Sequence, residues 1–196
     1  MTPPPGTSTP PQGFGHDRRI QEAPVLRLNL AIPPDWRHVR QLRDYINGVM
    51  QSFGKTHDFA DRCAMCASEL LENAVKYSYP DSEITARVEV EFAESIMQAV
   101  VENHAPPERI DDLVRVIEKV NRGGPFDSYV LLLTEAAYKE ASTSQVGLGR
   151  VRAEGNAWLR CERLAHDQVR MMVGVPERRR HPGVGMPQGK RWDDPK

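Results

Sequence analysis

Two alternating runs joined by a very short link constrain the fold of this chain more than any other feature. Apolar and polar residues alternate from Ile84 to Ala93, and a second alternating run extends from Ser95 to Asn103. Alternation of this kind is typical of a strand with one buried face. Because the link is so short and Pro106 and Pro107 stop the second run, the pattern predicts an antiparallel hairpin at 84–103.

Helical and strand patterns flank this hairpin on both sides. A strand is expected at Val25–Ala31, followed by a helix that Asp35 caps and Gly54 ends. Further helices are predicted at 59–78, 110–120, 128–141 and 148–155, and further strands at 157–163 and 168–175. Asp58 and Asp127 are the expected N-caps of two of these helices. Since several strands follow one another directly, the chain is predicted to be α+β, a two-layer α/β sandwich with a mixed, mostly antiparallel sheet and helices on one face.

Composition divides the chain into one folded unit and two polar ends. Residues 1–19 are rich in proline among Gly, Ser and Thr, and residues 176–196 combine glycine and proline with basic runs. Such segments bury too little apolar surface to offset the entropy of ordering, so both are predicted to be disordered tails. One domain is expected at 20–175, and its long segment of about 104–146 is predicted to be an active-site lid.

Charge and hydropathy exclude several classes of partner. The formal net charge is -1 at pH 7, so no overall field favours nucleic acid or a membrane surface. No apolar run approaches the ~20 residues of a membrane-spanning helix, and no signal peptide opens the chain. The Cys count of 3 is odd, which fits a reducing compartment. We therefore expect a cytoplasmic protein that binds neither nucleic acid nor membrane.

Two of the cysteines form a CxxC at Cys63 and Cys66, within the helix predicted at 59–78. Because no second metal-ligand pair is near in sequence, we expect buried, weakly polar side chains here and not a zinc or redox site. Cys66 shares its helix face with Glu69 and Asn73 and is expected to lie beside them.

The same helix carries a carboxylate and a carboxamide on one face. Glu69 and Asn73 are four residues apart, which places them one turn apart on the same side of the helix. A carboxylate can accept a proton from a nucleophile, and an amide oxygen is a suitable ligand for Mg²⁺. Taken alone, the pair also fits an ordinary solvated helix face, so its interpretation depends on a second element.

That second element is a glycine turn, Gly147-Leu148-Gly149, which Arg150 follows at the start of a predicted helix. Backbone N–H groups at such a helix start can face an anion, and the helix dipole adds to the attraction. The chain has no GxxxxGK[ST] motif, which excludes a P-loop, and its glycine spacing does not fit a dinucleotide-binding turn.

The two elements together, in this order around a hairpin, resemble the motifs of the GHKL superfamily of gyrase, Hsp90, histidine kinase and MutL ATPases. The superfamily N-box, E-x-x-x-N-A-x-K, is matched by Glu69, Asn73, Ala74 and Lys76, and its G2 box, G-x-G, by Gly147, Leu148 and Gly149. The resemblance covers about 25–175 and is closest to bacterial anti-sigma-factor serine kinases of partner-switching pathways. It implies a Bergerat-type ATP-binding fold.

The resemblance also implies a role for each matched position. Glu69 would act as general base, and Asn73 would hold Mg²⁺ against the phosphates of ATP. Lys76 and Arg150 would add positive charge near the phosphates, which the backbone of Gly147, Leu148 and Gly149 would hold. The implied partners are a STAS-like antagonist phosphorylated on Ser or Thr, a sigma factor or other regulator, and a second copy bound through the N-terminal strand and first helix.

The chain departs from the superfamily at the adenine end of the site. The G1 box, D-x-G-x-G, is expected after the second hairpin strand, where this chain reads Asn103-His104-Ala105-Pro106-Pro107. Asn103 can accept a hydrogen bond from the adenine amino group, but without a full charge, which predicts a loss of about 1.5–3 kcal/mol in affinity. Three interpretations stay open: an ATP-dependent serine/threonine kinase, a non-catalytic interaction module with weak or no nucleotide binding, or an unrelated α+β domain.

Overall fold

The computed structural model describes residues 25–91, 95–138 and 146–177 of the chain. Its elements, in chain order, are β1 Val25–Ile32, α1 Trp36–Ser52, α2 His57–Tyr77, β2 Ile84–Glu91, β3 Ile96–His104, α3 Pro107–Arg122, α4 Pro125–Tyr138, α5 Val146–Ala153, β4 Trp158–Ala165 and β5 Gln168–Pro176. The tail predicted at 1–19 lies outside the described residues. So does the tail predicted at 176–196, apart from Pro176, which ends β5, and Glu177.

The described strands form one sheet in the order β1-β2-β3-β5-β4. Each of the four neighbouring pairs is antiparallel, including the predicted hairpin of β2 and β3, in which Val88 lies opposite Ala99. The prediction allowed a mixed sheet, whereas the described strands contain no parallel pair. Because β3 is central, its last residues Asn103 and His104 pair with Val169 and Gln168 of β5, in the middle of the sheet.

The helices pack on one face of this sheet and bury a single core. Alternate residues of β2 (Ile84, Ala86, Val88 and Val90) are buried there, and α2 contacts β2, β3 and β5. Leu70 and Leu71 of α2 are fully buried, and the burial of each contributes about 1.5–3 kcal/mol. The predicted two-layer α/β sandwich is therefore confirmed. None of the helices that the structure describes has the length and apolar character needed to span a membrane.

The first helix begins and ends where the sequence predicts. Asp35 is its N-cap, and its side chain accepts a hydrogen bond from the backbone N–H of Arg37 at 2.8 Å. Gly54 follows the helix with φ of +72°, a left-handed conformation that favours glycine.

Two other helices begin before the predicted cap. The N-cap of α2 is Thr56, whose hydroxyl accepts a hydrogen bond from Phe59 N at 3.3 Å, and α4 begins at Pro125. The predictions that Asp58 and Asp127 are N-caps are therefore wrong. Both carboxylates lie in the first turn of their helices, where they interact favourably with the positive end of the helix dipole.

The segment of 104–146 that was predicted to be a lid contains α3 and α4. Residues 139–145 lie outside the described residues. Two residues separate the end of β3 from Pro107, which begins α3, and the inward side of α3 is buried against the core. A lid role for this segment stays a prediction.

Gly48 lies in the interior of α1 on its solvent side, and a Cβ placed there would meet no heavy atom within 4 Å. Because glycine in a helix interior costs roughly 0.5–1 kcal/mol relative to alanine, Gly48→Ala should raise the free energy of unfolding by about that amount. Urea denaturation followed by circular dichroism measures it. Gly174→Ala is the opposite control, since its Cβ would lie 2.1 Å from the Trp158 ring and should lower stability. A destabilised Gly48→Ala would contradict the open placement of this helix face.

Candidate functional site

The two polar residues of α2 are buried, which distinguishes them from an ordinary solvated helix face. Glu69 and Asn73 are each only 8% exposed. The Asn73 side-chain amide donates a hydrogen bond to the Glu69 carbonyl oxygen at 2.7 Å, which fixes its orientation on the helix. Burying polar groups costs free energy unless they have partners, so this placement favours a specific role for both side chains.

Arg150 of α5 forms an ion pair with Glu69. Its Nη1 donates to Glu69 Oε1 at 3.0 Å, and its Nε and Nη2 donate to the Glu154 carboxylate at 3.2–3.3 Å. One guanidinium therefore connects two carboxylates. The structure thus brings together Glu69 of the predicted N-box and Arg150 next to the predicted glycine turn.

Gly147 permits this close approach of α5 to α2. A Cβ on Gly147 would lie 1.8 Å from Glu69 Oε2, so any larger residue would displace the carboxylate. Gly147 and Leu148 lie in the first turn of α5, Val146–Ala153, at the end of the helix that is expected to attract an anion. The predicted anion-binding turn is therefore next to the predicted base.

The remaining predicted residues of the phosphate end have different surroundings. The Leu148 side chain is fully buried in the core, which leaves only its backbone for a ligand. A Cβ on Gly149 would contact Tyr129 and Leu132 at 3.0–3.2 Å, so this glycine allows α4 to pack on α5. The Lys76 ammonium lies 5.2 Å from the centre of the Tyr77 ring, in the last turn of α2.

Burial raises the pKa of the Glu69 carboxyl, and the nearby Glu72 raises it further, whereas Arg150 and Arg43 lower it. The net effect is an elevated pKa, because desolvation disfavours the charged form more than the cations favour it. A carboxylate with an elevated pKa is a stronger base at neutral pH than an exposed one.

The raised pKa of Glu69 predicts a pH dependence of stability. A carboxyl whose pKa is higher in the folded than in the unfolded protein loses stabilisation as the pH rises above the unfolded value, which is near 4.5. Glu69→Gln cannot ionise, so its stability relative to the wild type should increase between pH 4 and pH 7. Urea denaturation of both proteins at the two pH values checks this. A relative stability that falls over this range would show that pairing with Arg150 outweighs burial.

The adenine end of the predicted site centres on Asn103, which is 2% exposed. Its Oδ1 is buried and has no hydrogen-bond partner among the described residues. It borders a cavity of about 10 Å³, which has room for about one water molecule. The cavity is lined by Asn73, Tyr77, Asn103, Ala105, Arg109, Ile110, Leu113, Val169 and Met171. Asn73 therefore links the two ends of the site, because Glu69 lies one turn before it.

The chemistry of these residues fits ATP with Mg²⁺, although the space between them is small. Asn103 offers an unused acceptor for a base amino group, and the first turn of α5 offers N–H groups for phosphate. The side chains of Asn73 and Glu69 carry the oxygen ligands that Mg²⁺ prefers. The cavity beside Asn103 measures about 10 Å³, and Gly147 lies against Glu69 at the other end of the site.

Two residues near the site were missed in the sequence. Glu154 binds Arg150, and its spacing of four residues on the same helix could have identified it. His104 ends β3, and its Nδ1 lies 3.3 Å from Asp167 Oδ2. His104 and Asp167 are 63 positions apart in the sequence, so no local pattern signals their contact.

The cysteine pair of α2 is buried in the core close to Glu69. Cys63 and Cys66 are free thiols and fully buried, and burial raises the pKa of both. Cys66 packs against Gly155, where a Cβ would lie 2.4 Å from its Sγ. Cys66 is near enough to Glu69 and Arg150 for both charges to act on its pKa, as its shared helix face predicts, but its thiol is fully buried.

Comparisons with known proteins agree with this geometry. A family model for a histidine kinase-like ATPase domain matches residues 32–122, which include Glu69, Asn73, Lys76 and Asn103 but end before α5. A chain in the crystal structure of the SiaB–SiaC complex from Pseudomonas aeruginosa is similar in fold, with a TM-score of 0.60 and 10% sequence identity. That likeness covers 80% of this chain and 92% of the other. No curated protein matches.

The sequence match covers the helix that carries Glu69 and Asn73, and the structural likeness extends over most of the described residues. In this chain, that fold is the α+β sandwich in which α2 contacts α5. This chain is therefore similar to histidine kinase-like ATPase domains over residues 32–122, and similar in fold to a chain of the SiaB–SiaC complex over most of its length.

Proposed function

We propose that this protein is an ATP-binding regulator of the anti-sigma-factor kinase type, which transfers the γ-phosphate of ATP to a Ser or Thr of a STAS-like partner. The observation that carries the proposal is the meeting of Glu69 with the first turn of α5, where Gly147 lies against the carboxylate. A buried base next to an anion-binding helix start is the arrangement that phosphoryl transfer to a hydroxyl requires.

Each residue of the site would contribute a separate function. Bound ATP with Mg²⁺ would supply the phosphoryl group and neutralise its charge. The Asn73 amide would hold the cation, while Arg150 and the first turn of α5 would bind phosphate. Glu69 would accept the proton of the partner's hydroxyl, and its elevated pKa suits that task. Asn103 would accept a hydrogen bond from the base.

A second candidate is a non-catalytic interaction module, which two observations favour. The cavity beside Asn103 is too small for a purine base. On α4, Phe126, Val130, Leu131 and Leu133 are between 42% and 70% exposed, an apolar surface that suits a protein partner. The structural neighbour was crystallised in a complex of two proteins, which is consistent with either candidate.

Nucleotide binding separates the two candidates. Titration with a fluorescent ATP analogue and Mg²⁺ should give saturable binding to the wild type. Asn73→Ala should weaken it at least roughly thirtyfold, about 2 kcal/mol, because the oxygen ligand for Mg²⁺ is lost. Asn47→Ala on α1, whose amide binds Asp61 away from the site, is the matched control and should bind as the wild type does. No binding at millimolar nucleotide would leave the interaction module as the better account.

Phosphoryl transfer is tested separately with labelled ATP and candidate STAS-like proteins. Glu69→Gln should still bind ATP but transfer no label, because the general base is lost. Transfer at the wild-type rate by Glu69→Gln would exclude Glu69 as the base. If the wild type binds ATP and labels none of the candidate proteins, either the proposed partner class or the kinase activity is wrong.

A further inference from the structure

We infer that Arg150 is shared between Glu69 and a bound phosphate group, so that Glu69 becomes available as a base only when phosphate takes Arg150 from it. The inference rests on the proposed function and deepens it, because it assigns Arg150 a control over Glu69 in addition to phosphate binding. Arg150 is thus a positioning residue for the base.

The Glu69 carboxylate is buried, and one of its oxygens is paired with Arg150 in this arrangement. Oε1 accepts the hydrogen bond from Arg150 Nη1 at 3.0 Å, and Oε2 lies where a Cβ of Gly147 would be within 1.8 Å. A partner's hydroxyl would therefore meet a buried carboxylate whose Oε1 is already engaged by Arg150.

Arg150 is the accessible member of the pair. Its side chain is 38% exposed, whereas that of Glu69 is 10% exposed, so the guanidinium lies between the buried base and the solvent. A phosphate group entering from solvent would meet Arg150 before Glu69. It would also carry more negative charge than the carboxylate with which it competes for Nη1 of Arg150.

Glu154 provides an anchor that makes such an exchange possible. The Nε and Nη2 groups of Arg150 bind the Glu154 carboxylate on the same helix, and only Nη1 binds Glu69. Release of Nη1 from Glu69 therefore leaves the guanidinium held by Glu154. Arg43 and Glu72 also act on Glu69 through their charges. Within the part of the chain that the structure describes, neither of them is hydrogen-bonded to the Glu69 carboxylate.

A double-mutant cycle on ATP affinity tests this competition, with calorimetry of Mg²⁺·ATP binding as the readout. Glu69→Gln should release Arg150 and tighten binding about fivefold or more. In an Arg150→Gln background, the same Glu69→Gln change should alter affinity less than about twofold, because there is no longer a guanidinium to release. Arg115→Gln, which removes an exposed charge on α3, controls for net charge and should leave the fivefold gain intact.

The alternative outcome is equally specific. If Glu69 merely repels phosphate through space, Glu69→Gln will tighten binding by the same factor with and without Arg150, and the inference is overturned while the proposed function stands. Absence of ATP binding by every variant would overturn the proposed function as well. In the ligand-free protein, the same cycle measured by urea denaturation should show that the two substitutions are non-additive, since the residues are paired. Additive effects there would show that the ion pair is not formed.

Discussion

Arg62→Ala should lower the free energy of unfolding by about 3–5 kcal/mol, the largest stability effect expected for a polar residue of this protein. The guanidinium is 5% exposed and donates to the carbonyl oxygens of Gly155, Pro176 and Glu177 at 2.7–3.0 Å. Its Nε also binds Asp58 at 2.9 Å. Alanine would leave buried carbonyl groups without donors, and the end of β5 would lose its attachment to α2.

Urea denaturation at pH 7 measures this effect, and Arg122→Ala is the matched control. Arg122 on α3 is 80% exposed and pairs with Glu118 four residues earlier, so its loss should cost less than about 0.5 kcal/mol. A loss below about 1 kcal/mol for Arg62→Ala would mean that its hydrogen bonds do not hold the end of β5 to α2.

Gly147→Ala should have the largest effect on the candidate site. A Cβ at this position would lie 1.8 Å from Glu69 Oε2, so α5 must move away from α2 or the Glu69 carboxylate must rotate. Overpacking of this kind costs about 1–3 kcal/mol. Because the same shift separates the first turn of α5 from Glu69 and Asn73, nucleotide affinity should fall at least roughly thirtyfold.

Circular dichroism and nucleotide titration on the same samples measure both effects. Gly48→Ala is the control, since it adds the same methyl group to a helix with open space around it and should leave affinity unchanged. Wild-type affinity in a folded Gly147→Ala would show that Gly147 is not part of a phosphate site.

Most of the fold follows from local patterns in the sequence. Apolar residues alternate along β2 and β3 and recur at helical spacing in α1 and α2. Both patterns arise because each element buries one face in the core between the sheet and the helices. The two misplaced helix starts show where local reasoning ends. Thr56 and Asp58 are both suitable caps, and the choice between them depends on where the chain turns into α2.

The candidate site was only half predictable for the same reason. Glu69, Asn73 and the glycine turn are visible as motifs, because each is local in sequence. Contacts between distant residues are not, and Glu69 and Arg150 are separated by 81 positions. The burial of Asn103 and the close fit of α3 around it likewise depend on packing between elements. These contacts are set by packing between elements and leave no local signal in the sequence.

Hydrogen exchange with and without Mg²⁺·ATP most directly tests the central claim that α2 and α5 form one nucleotide site. At saturating nucleotide, we predict slower exchange of backbone amides in both 69–77 and 146–153, because the ligand must contact the polar face of α2 and the first turn of α5 together. Peptides from α1 provide the internal control and should not change. Unchanged exchange in both segments at millimolar nucleotide, or protection confined to another part of the chain, would contradict the account.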